Sequence, residues 1–505
     1  MSKQDTKGGP VGLRNQLEAL LAAAPSSAPA VGRGDEWWTW GQIRDIAEGV
    51  DGLCDRLGLE EGARVGLLLQ NRPEFVGLVI GVLMSGRCIT TLNPLQPPAR
   101  LSADIVKTAP PLVIGVRDVV HEPDVRAAVE GRGTAVVVEP DGALSAGPTA
   151  PGGEGTYAPG TAVEMLTSGT TGPPKRVRLG YTQLDSAFAA QGRAGVPAFK
   201  EAVAIVSVPM VHISGLWHAL NTALSGRRLV LLERFRVADW VAAVERYRPK
   251  VASLVPAALR SVVDADVPRE SLSSLKAITS GTAACPPELV DTVLDKYGVR
   301  VLATYGATEF AGAVAGWTLA DHEKWYRAKR GSVGRAFGGV RLRVTHPVTG
   351  EPLADGEVGR LEVQSAQLAA GDQWTSTSDL GRIDEDGFVF ITGRADSAII
   401  RGGFKVQPET VQRALESHPG VRAAAVAGIA DQRLGQVPVA AVELAEGAKV
   451  ETDELLRKCR RELTPYEVPV ALEIVDRLPR TPSMKISRAE VAAIFEERSS
   501  GDEQG

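Results

Sequence analysis

Cysteine is scarce. Four residues in 505, Cys54, Cys88, Cys285 and Cys459, lie far apart and form no CxxC pair. That spacing excludes a disulfide framework and a zinc site, and it fits a reducing, cytoplasmic compartment. A basic excess is also lacking: 56 Lys+Arg stand against 61 Asp+Glu, a net charge of −5. A duplex-binding surface usually shows such an excess, so no nucleic-acid partner is expected. The longest apolar run, Phe75–Met84, is about half of the ~20 residues a spanning helix needs, so no membrane span is expected. Near the start, Leu17–Ala24 is interrupted by Glu18 and followed by Pro25, which reads as a short amphipathic helix rather than a signal segment. Internal repeats are absent, and the 54 Gly and 32 Pro show no three-residue period, which excludes collagen.

What is present is the ordinary composition of a globular protein, 44% hydrophobic and 23% charged. Short apolar runs such as Arg64–Leu69 and Cys88–Leu92 alternate with helix-length segments such as Trp40–Leu59 and Pro73–Ser85. This is the pattern of an α/β layered domain. Residues 142–161 are rich in Gly, Pro, Ala and Ser and read as a surface loop. Alternation resumes with strands predicted at Ala202–Val208, Arg228–Leu232, Val251–Val255, Ala277–Thr279 and Arg300–Ala303. Beyond Gly331 it gives way to antiparallel strands at Val340–Thr345, Gly359–Val363 and Gly387–Thr392, separated by turn residues. A boundary near Gly393 divides a large multi-layer N-terminal domain, 1–392, from a small α+β C-terminal domain, 393–505. In the latter, Pro408–His418 reads as a helix with Pro at its first position and Pro419 beyond its end. The tail Ser499–Gly505 is expected to be disordered.

Four stretches carry chemistry. TSGTTGPPK, Thr167–Lys175, gathers hydroxyls, glycines and a lysine after an apolar segment, a composition that lets backbone N–H groups approach phosphate oxygens. It is not the GxxxxGK[ST] loop, because no Ser or Thr follows the lysine. TYGATE, Thr304–Glu309, follows a predicted strand and offers an aromatic ring and a carboxylate suited to Mg²⁺. TSDLGRIDEDGFVFITGRAD, Thr377–Asp396, holds Asp379, a carboxylate of the kind that accepts ribose hydroxyls, and Arg394 at the predicted boundary. PRTPSMK, Pro479–Lys485, ends on a lysine. Taken singly, each is an unremarkable turn, salt bridge or solvated side chain.

In this order and spacing the four resemble the adenylate-forming superfamily: acyl- and aryl-CoA ligases, peptide-synthetase adenylation domains and firefly-type luciferases. NPLQPPARL, Asn93–Leu101, is similar to a further segment of that family, so the likeness covers nearly the whole chain. The resemblance implies a large N-terminal domain and a small mobile one. It implies ATP, Mg²⁺ and coenzyme A as co-substrates, and a ligase that joins a small-molecule carboxylic acid to CoA through an acyl-AMP. On it, Thr167, Ser168, Gly169, Thr170, Thr171, Gly172 and Lys175 form the phosphate loop. Tyr305 and Gly306 lie at the adenine, Thr308 contacts the α-phosphate, and Glu309 holds Mg²⁺ with Thr170. Asp379 and Arg394 take the ribose, Asp396 is the hinge, and Lys485 is the catalytic lysine.

The acid pocket is implied by PMVHISGL, Pro209–Leu216, with His212, and by SGTAA, Ser280–Ala284, with Gly281 and Thr282. The small residues Ala307, Ala311 and Gly312 leave room there. Gly402 and Gly403, within IIRGGF, have no side chains and would let a pantetheine arm pass close to the backbone. Three departures stand out: Arg176 replaces the usual glycine after the loop lysine, Met484 stands where glycine commonly precedes Lys485, and the segment LAAGDQWTSTSD before Asp379 is short. Other acceptors or substrates remain alternatives to CoA ligation, namely carrier-protein loading or nitrite activation for diazotisation. The sequence is silent on the acid and on the oligomeric state, a homodimer included.

Overall fold

A computed structural model describes residues 12–147, 157–167, 175–190, 198–401, 404–431, 434–481 and 484–501. The phosphate-loop residues 168–174, together with Gly402 and Gly403, lie outside the described residues. The chain is mixed α/β, with a large N-terminal domain and a smaller C-terminal one.

The large domain opens on a sheet whose central strands, Arg64–Leu68, Cys88–Leu92 and Leu112–Gly115, are parallel and buried along their whole length. Burial on both faces explains why they read as continuous apolar runs rather than alternating ones. Thr161–Thr167 continues the parallel set beside Cys88–Leu92, and Lys175–Gly180 closes that edge as an antiparallel strand. Helix Trp40–Arg56 begins on a capping box formed by Thr39 and Gln42, which satisfies two of the free amides at its start.

A second sheet places Arg227–Leu231 between Pro29–Arg33 and Lys200–Val206, parallel to both. In a third, Val251–Ser253, Ala277–Ser280 and Arg300–Ala307 run parallel. The chain then reverses through the 3-10 turn Thr308–Phe310 into Gly312–Gly316, antiparallel to Arg300–Ala307. The fourth is antiparallel throughout: Arg341–Thr345, Gly359–Gln364, Thr375–Ile383 and Val389–Arg394.

The small domain has cores of its own, one built from Ile399 to Leu472 and one from Ala425 to Phe495. They flank Val421–Asp431 and Gly435–Leu444, which pair over their full length. Helix Pro408–Glu416 carries Pro408 at its first turn, as expected. Arg422 reaches back to the large domain, 2.6 Å from Asp264, and also pairs with Glu443.

Several expectations shift. Tyr305, Gly306 and Ala307 sit inside strand Arg300–Ala307 rather than beyond it, because Gly312–Gly316 supplies a pairing partner that no local pattern announces. Asp379 likewise lies within a strand. Helix Arg488–Gly501 runs through Ser499, where a disordered tail was expected, whereas 502–505 lie outside the described residues. The loop predicted over 142–161 includes the short strand Leu144–Ala146. The described cysteines are all free, and burial pushes the thiols of Cys54, Cys88 and Cys285 up to about 12, which keeps them protonated and inert. Among the described residues no helix is long and apolar enough to cross a membrane.

Candidate active site

Tyr305, Asp379 and Arg394 are far apart in sequence and meet at one end of the third and fourth sheets. Asp379 and Arg394 stand directly opposite each other in the ladder between Thr375–Ile383 and Val389–Arg394. The Arg394 guanidinium lies 3.5 Å from one Asp379 oxygen. The Tyr305 hydroxyl donates to the other at 2.6 Å. Thr377 Oγ1 accepts from the Asp379 amide at 3.0 Å and donates to the Leu361 carbonyl at 2.9 Å, which fixes the backbone at this point. Burial, and then the Asp379 charge, push the Tyr305 phenol well above its ordinary value, so it stays a donor.

Two turns with strained backbone line the next part of the site. Thr282, in the turn after Ala277–Ser280, has φ +71°, and Ala311 has φ +53°. A non-glycine residue in this region costs energy and persists where the surroundings enforce it, often at functional sites. Gly281 lies against Thr304: a Cβ there would sit 2.4 Å from Thr304 Oγ1. At Gly306 it would sit 2.3 Å from the Gly312 carbonyl, a backbone atom that cannot move aside. Beyond Gly312 lies the Trp217 ring, which stacks on Phe188 with centroids 4.2 Å apart and planes 6° from parallel.

His212 occupies the N-cap position of the helix Ile213–Leu224, without a side-chain cap bond. The buried Asn71 side chain positions its loop: Nδ2 donates to the Val208 and Leu232 carbonyls at 3.1 and 3.0 Å, and Oδ1 accepts from the Met210 amide at 2.8 Å. His212 Nε2 is buried and has no hydrogen-bond partner among the described residues. Burial, and then the nearby Lys485 charge, lower its pKa to about 4, so the ring is neutral near pH 7.

Lys485 enters from the small domain. It sits at the base of a turn in which the Met484 amide bonds the Thr481 carbonyl at 2.8 Å and the Thr481 amide bonds the Lys485 carbonyl at 2.7 Å. Met484 has φ +64°, which gives a physical meaning to the departure noted in the sequence: the turn asks for a left-handed residue and has one that is not glycine. Among the described residues the Lys485 ammonium makes no hydrogen bond or ion pair. Burial lowers its pKa below the ordinary lysine value, the Arg394 charge lowers it further, and the Glu309 carboxylate acts in the opposite sense. Thr308 and Glu309 occupy the 3-10 turn after the Tyr305 strand, with Glu309 exposed.

The fold thus gathers Tyr305, Gly306, Ala307, Thr308, Glu309, Ala311, Gly312, Asp379, Arg394, His212 and Lys485 around one region. Thr167 and Lys175 face each other where the strands flanking 168–174 begin to pair. Asp396 falls in the short 3-10 turn Ala395–Ser397 that follows Arg394. The short segment before Asp379 is closed by consecutive turns, and Gln367, immediately before it, donates through Nε2 to the Phe310 carbonyl at 2.8 Å. Asn71, Phe188, Trp217, Thr377 and Gln367 escaped the sequence reading. Only Thr377 belongs to a stretch singled out above, and there it carried no assigned role; the other four belong to no local motif, and a lone buried Asn in a turn-rich stretch was the best signal available.

Residues 18–371 match the AMP-binding enzyme family model, and residues 410–485 match the AMP-binding enzyme C-terminal domain. The chain is 28% identical over 477 residues to 4-coumarate–CoA ligase CCL1 of Humulus lupulus, covering 88% of this chain and 86% of that protein. It is 30% identical over 477 residues to 2-succinylbenzoate–CoA ligase of Bacillus pumilus, covering 90% and 92%. Among solved structures it resembles the amide bond synthetase McbA of Marinactinospora thermotolerans, with a TM-score of 0.80, 25% identity and coverage of 95% of this chain and 99% of that one.

Proposed function

The chain belongs to the AMP-binding enzyme family, and from that premise we propose that it is an ATP-dependent acid–CoA ligase. A carboxylic acid attacks the α-phosphorus of ATP, pyrophosphate leaves, and the thiol of CoA then displaces AMP from the acyl-adenylate. The observation that carries this reading is the state of Lys485: a desolvated ammonium with no hydrogen-bond or ion-pair partner among the described residues, in the field of Arg394 and Glu309 and close to the neutral His212.

Both reactants of the first step are anions, so their approach needs fixed positive charge where new charge develops. Lys485 supplies a compact one that spans carboxylate and α-phosphate oxygens. His212, neutral, packs beside the acid without adding charge. Asp379 accepts the ribose hydroxyls, held in place by Tyr305 and supported by Arg394, and the Tyr305 ring lies at the base. Thr308 meets the α-phosphate, and Lys175 with the 168–174 loop meets the outer phosphates. Among the described residues no cluster of three metal-ligating side chains occurs. A lone exposed carboxylate, Glu309, suits Mg²⁺, which keeps its waters and binds one or two carboxylates together with substrate phosphates. When bound, the ion neutralises phosphate charge.

We place the division between domains at 392/393 and the hinge at Asp396, so that the small domain withdraws Lys485 and brings the Ile399–Phe404 hairpin, with Gly402 and Gly403, to the adenylate for the thiol. The flat Trp217–Phe188 stack behind Gly312 favours an acid with an apolar, planar body, and Ala307, Ala311, Gly281 and Thr282 are the residues we propose for the rest of its pocket. The likeness to an amide bond synthetase supports a second acceptor class, an amine. The deciding experiment measures pyrophosphate release across aromatic, fatty and short dicarboxylic acids, with CoA, an amine, a carrier protein or nobody as acceptor, and with nitrite plus an aryl amine. CoA-dependent thioester from an aryl acid is expected; acid-dependent pyrophosphate release with no thioester removes the CoA assignment.

A further inference from the structure

Two features of the sequence play no part in the reading above: Arg176, where glycine usually follows the loop lysine, and the segment Asn93–Leu101. The structure joins them. Arg176 lies opposite Leu166 in the ladder between Thr161–Thr167 and Lys175–Gly180, one residue from the Thr167–Lys175 pair. Its guanidinium is turned inward, with 14% of the side chain exposed, onto Asp104, which is 10% exposed. Asp104 belongs to helix Pro98–Thr108, which grows out of the Asn93–Leu101 segment.

The grip has four hydrogen bonds. Arg176 Nη2 and Nε meet the two Asp104 oxygens at 2.5 and 3.3 Å. Nη1 donates to the Glu164 carbonyl at 3.2 Å, and Nη2 also donates to the Thr91 carbonyl at 3.1 Å. One side chain thereby ties its own strand to the neighbouring strand, to the strand beyond that and to a covering helix. Two residues on, Arg178 binds the Glu164 carboxylate at 2.8 Å, which Arg64 holds from the other side.

Lys175–Gly180 is the outermost strand of its sheet, and edge strands have one side without a ladder. Side chains alternate across a strand, so Lys175 projects to the face opposite Arg176. A strand pinned through Arg176 cannot twist, and Lys175 is then presented in one direction. Glycine at 176 makes no such contact.

We propose that Arg176, acting with Asp104, is a positioning residue for the triphosphate of ATP: it fixes the base of the hairpin that presents Lys175. This rests on the ligase reading given above. The pair is a positioning device and touches no reacting atom.

The test uses the full chain as wild type, R176G, R176K, D104N and the double variant R176G/D104N, with ATP affinity measured by equilibrium binding and KM for ATP and for the acid measured by pyrophosphate release. The double variant leaves no buried charge unpaired, and thermal melting reports folding for all. R176G is expected to weaken ATP binding and raise its KM by about tenfold, with the KM for the acid within about twofold, as expected for a small misplacement of a binding group. The double variant should match R176G, and R176K should recover part of the loss because its ammonium reaches Asp104 but not both carbonyls. In a K175A background R176G should add nothing. An ATP KM within twofold of wild type in a folded R176G or double variant overturns the proposal, as does an equal rise in both KM values or full additivity with K175A. Absence of acid-dependent pyrophosphate release in the wild type would instead defeat the ligase reading itself, so the two failures are distinguishable.

Discussion

Asp379 and Lys485 are ions of opposite sign in one site, and they are held in opposite ways. The carboxylate is satisfied before any ligand arrives: Tyr305 donates to one oxygen, Arg394 faces the other, and Thr377 locks the backbone. Among the described residues the ammonium is bare, although burial and Arg394 both act against its charge, and its neighbour His212 carries a buried nitrogen that is equally bare among them. A group that holds an unreacting sugar profits from a fixed, prearranged geometry. A group that meets developing charge is most effective when nothing in the protein competes for it. Tyr305, Thr377, Asp379 and Arg394 all precede the proposed hinge at Asp396 and Lys485 follows it, so the proposed swing would move the ammonium relative to the carboxylate.

The contrast yields a ranking of effects. Lys485→Ala should slow acid-dependent ATP–pyrophosphate exchange by about 10² to 10³, or ~3 to 4 kcal/mol of barrier, while leaving thermal stability unchanged or higher, because it removes a desolvated charge. An exchange rate within about threefold of wild type would show that the bare ammonium is not what the chemistry needs. Asp379→Ala should do the converse. Stranding the half-buried Tyr305 hydroxyl should cost about 1 kcal/mol of stability in chemical denaturation, with a raised KM for ATP. If denaturation midpoints coincide with those of the wild type, the prearranged triad is not a structural unit.

His212 sharpens the same contrast through pH. Its folded pKa of about 4 lies below the ordinary 6.5, so in the window between them the unfolded chain binds more protons and stability rises with pH. The contribution is full above 6.5 and is lost as pH falls through about 4, amounting to about 1 to 2 kcal/mol after allowance for solvent screening. His212→Gln should flatten that part of the stability–pH curve; an unchanged slope would mean the ring is protonated in the fold. The smallest effect belongs to the contact between domains. Asp264 and Arg422 are each about one-third exposed, so Asp264→Ala should cost the closed arrangement no more than about 1 kcal/mol. That shifts the ratio of single-turnover rates up to about fivefold toward thioester formation. A shift the other way would place the pair on the other side of the swing.

The sequence made the strands of the first sheet legible because parallel strands buried on both faces are continuous apolar runs, and it marked helix Pro408–Glu416 through its prolines. It found the strand Arg300–Ala303 but missed its extension through Tyr305 to Ala307, because strand identity there is set by a partner, Gly312–Gly316, whose small residues carry little β signal of their own. Lys485 was visible only as the end of a motif; its turn depends on a left-handed Met484 that no propensity predicts. Arg176 read as an anomaly, because its partner Asp104 lies 72 residues away.

The chain's own order of residues determined the layered α/β class, the division into a large and a small domain, and the chemical types available to the site, since these follow from periodicity, turn residues and short motifs read within a few positions. Tertiary structure decided which charges are satisfied and which are bare: Asp379 against Tyr305 and Arg394, Arg176 against Asp104, and Lys485 with no bonded partner among the described residues. Those outcomes depend on desolvation and on contacts between segments distant in sequence, and neither quantity exists until the chain has folded.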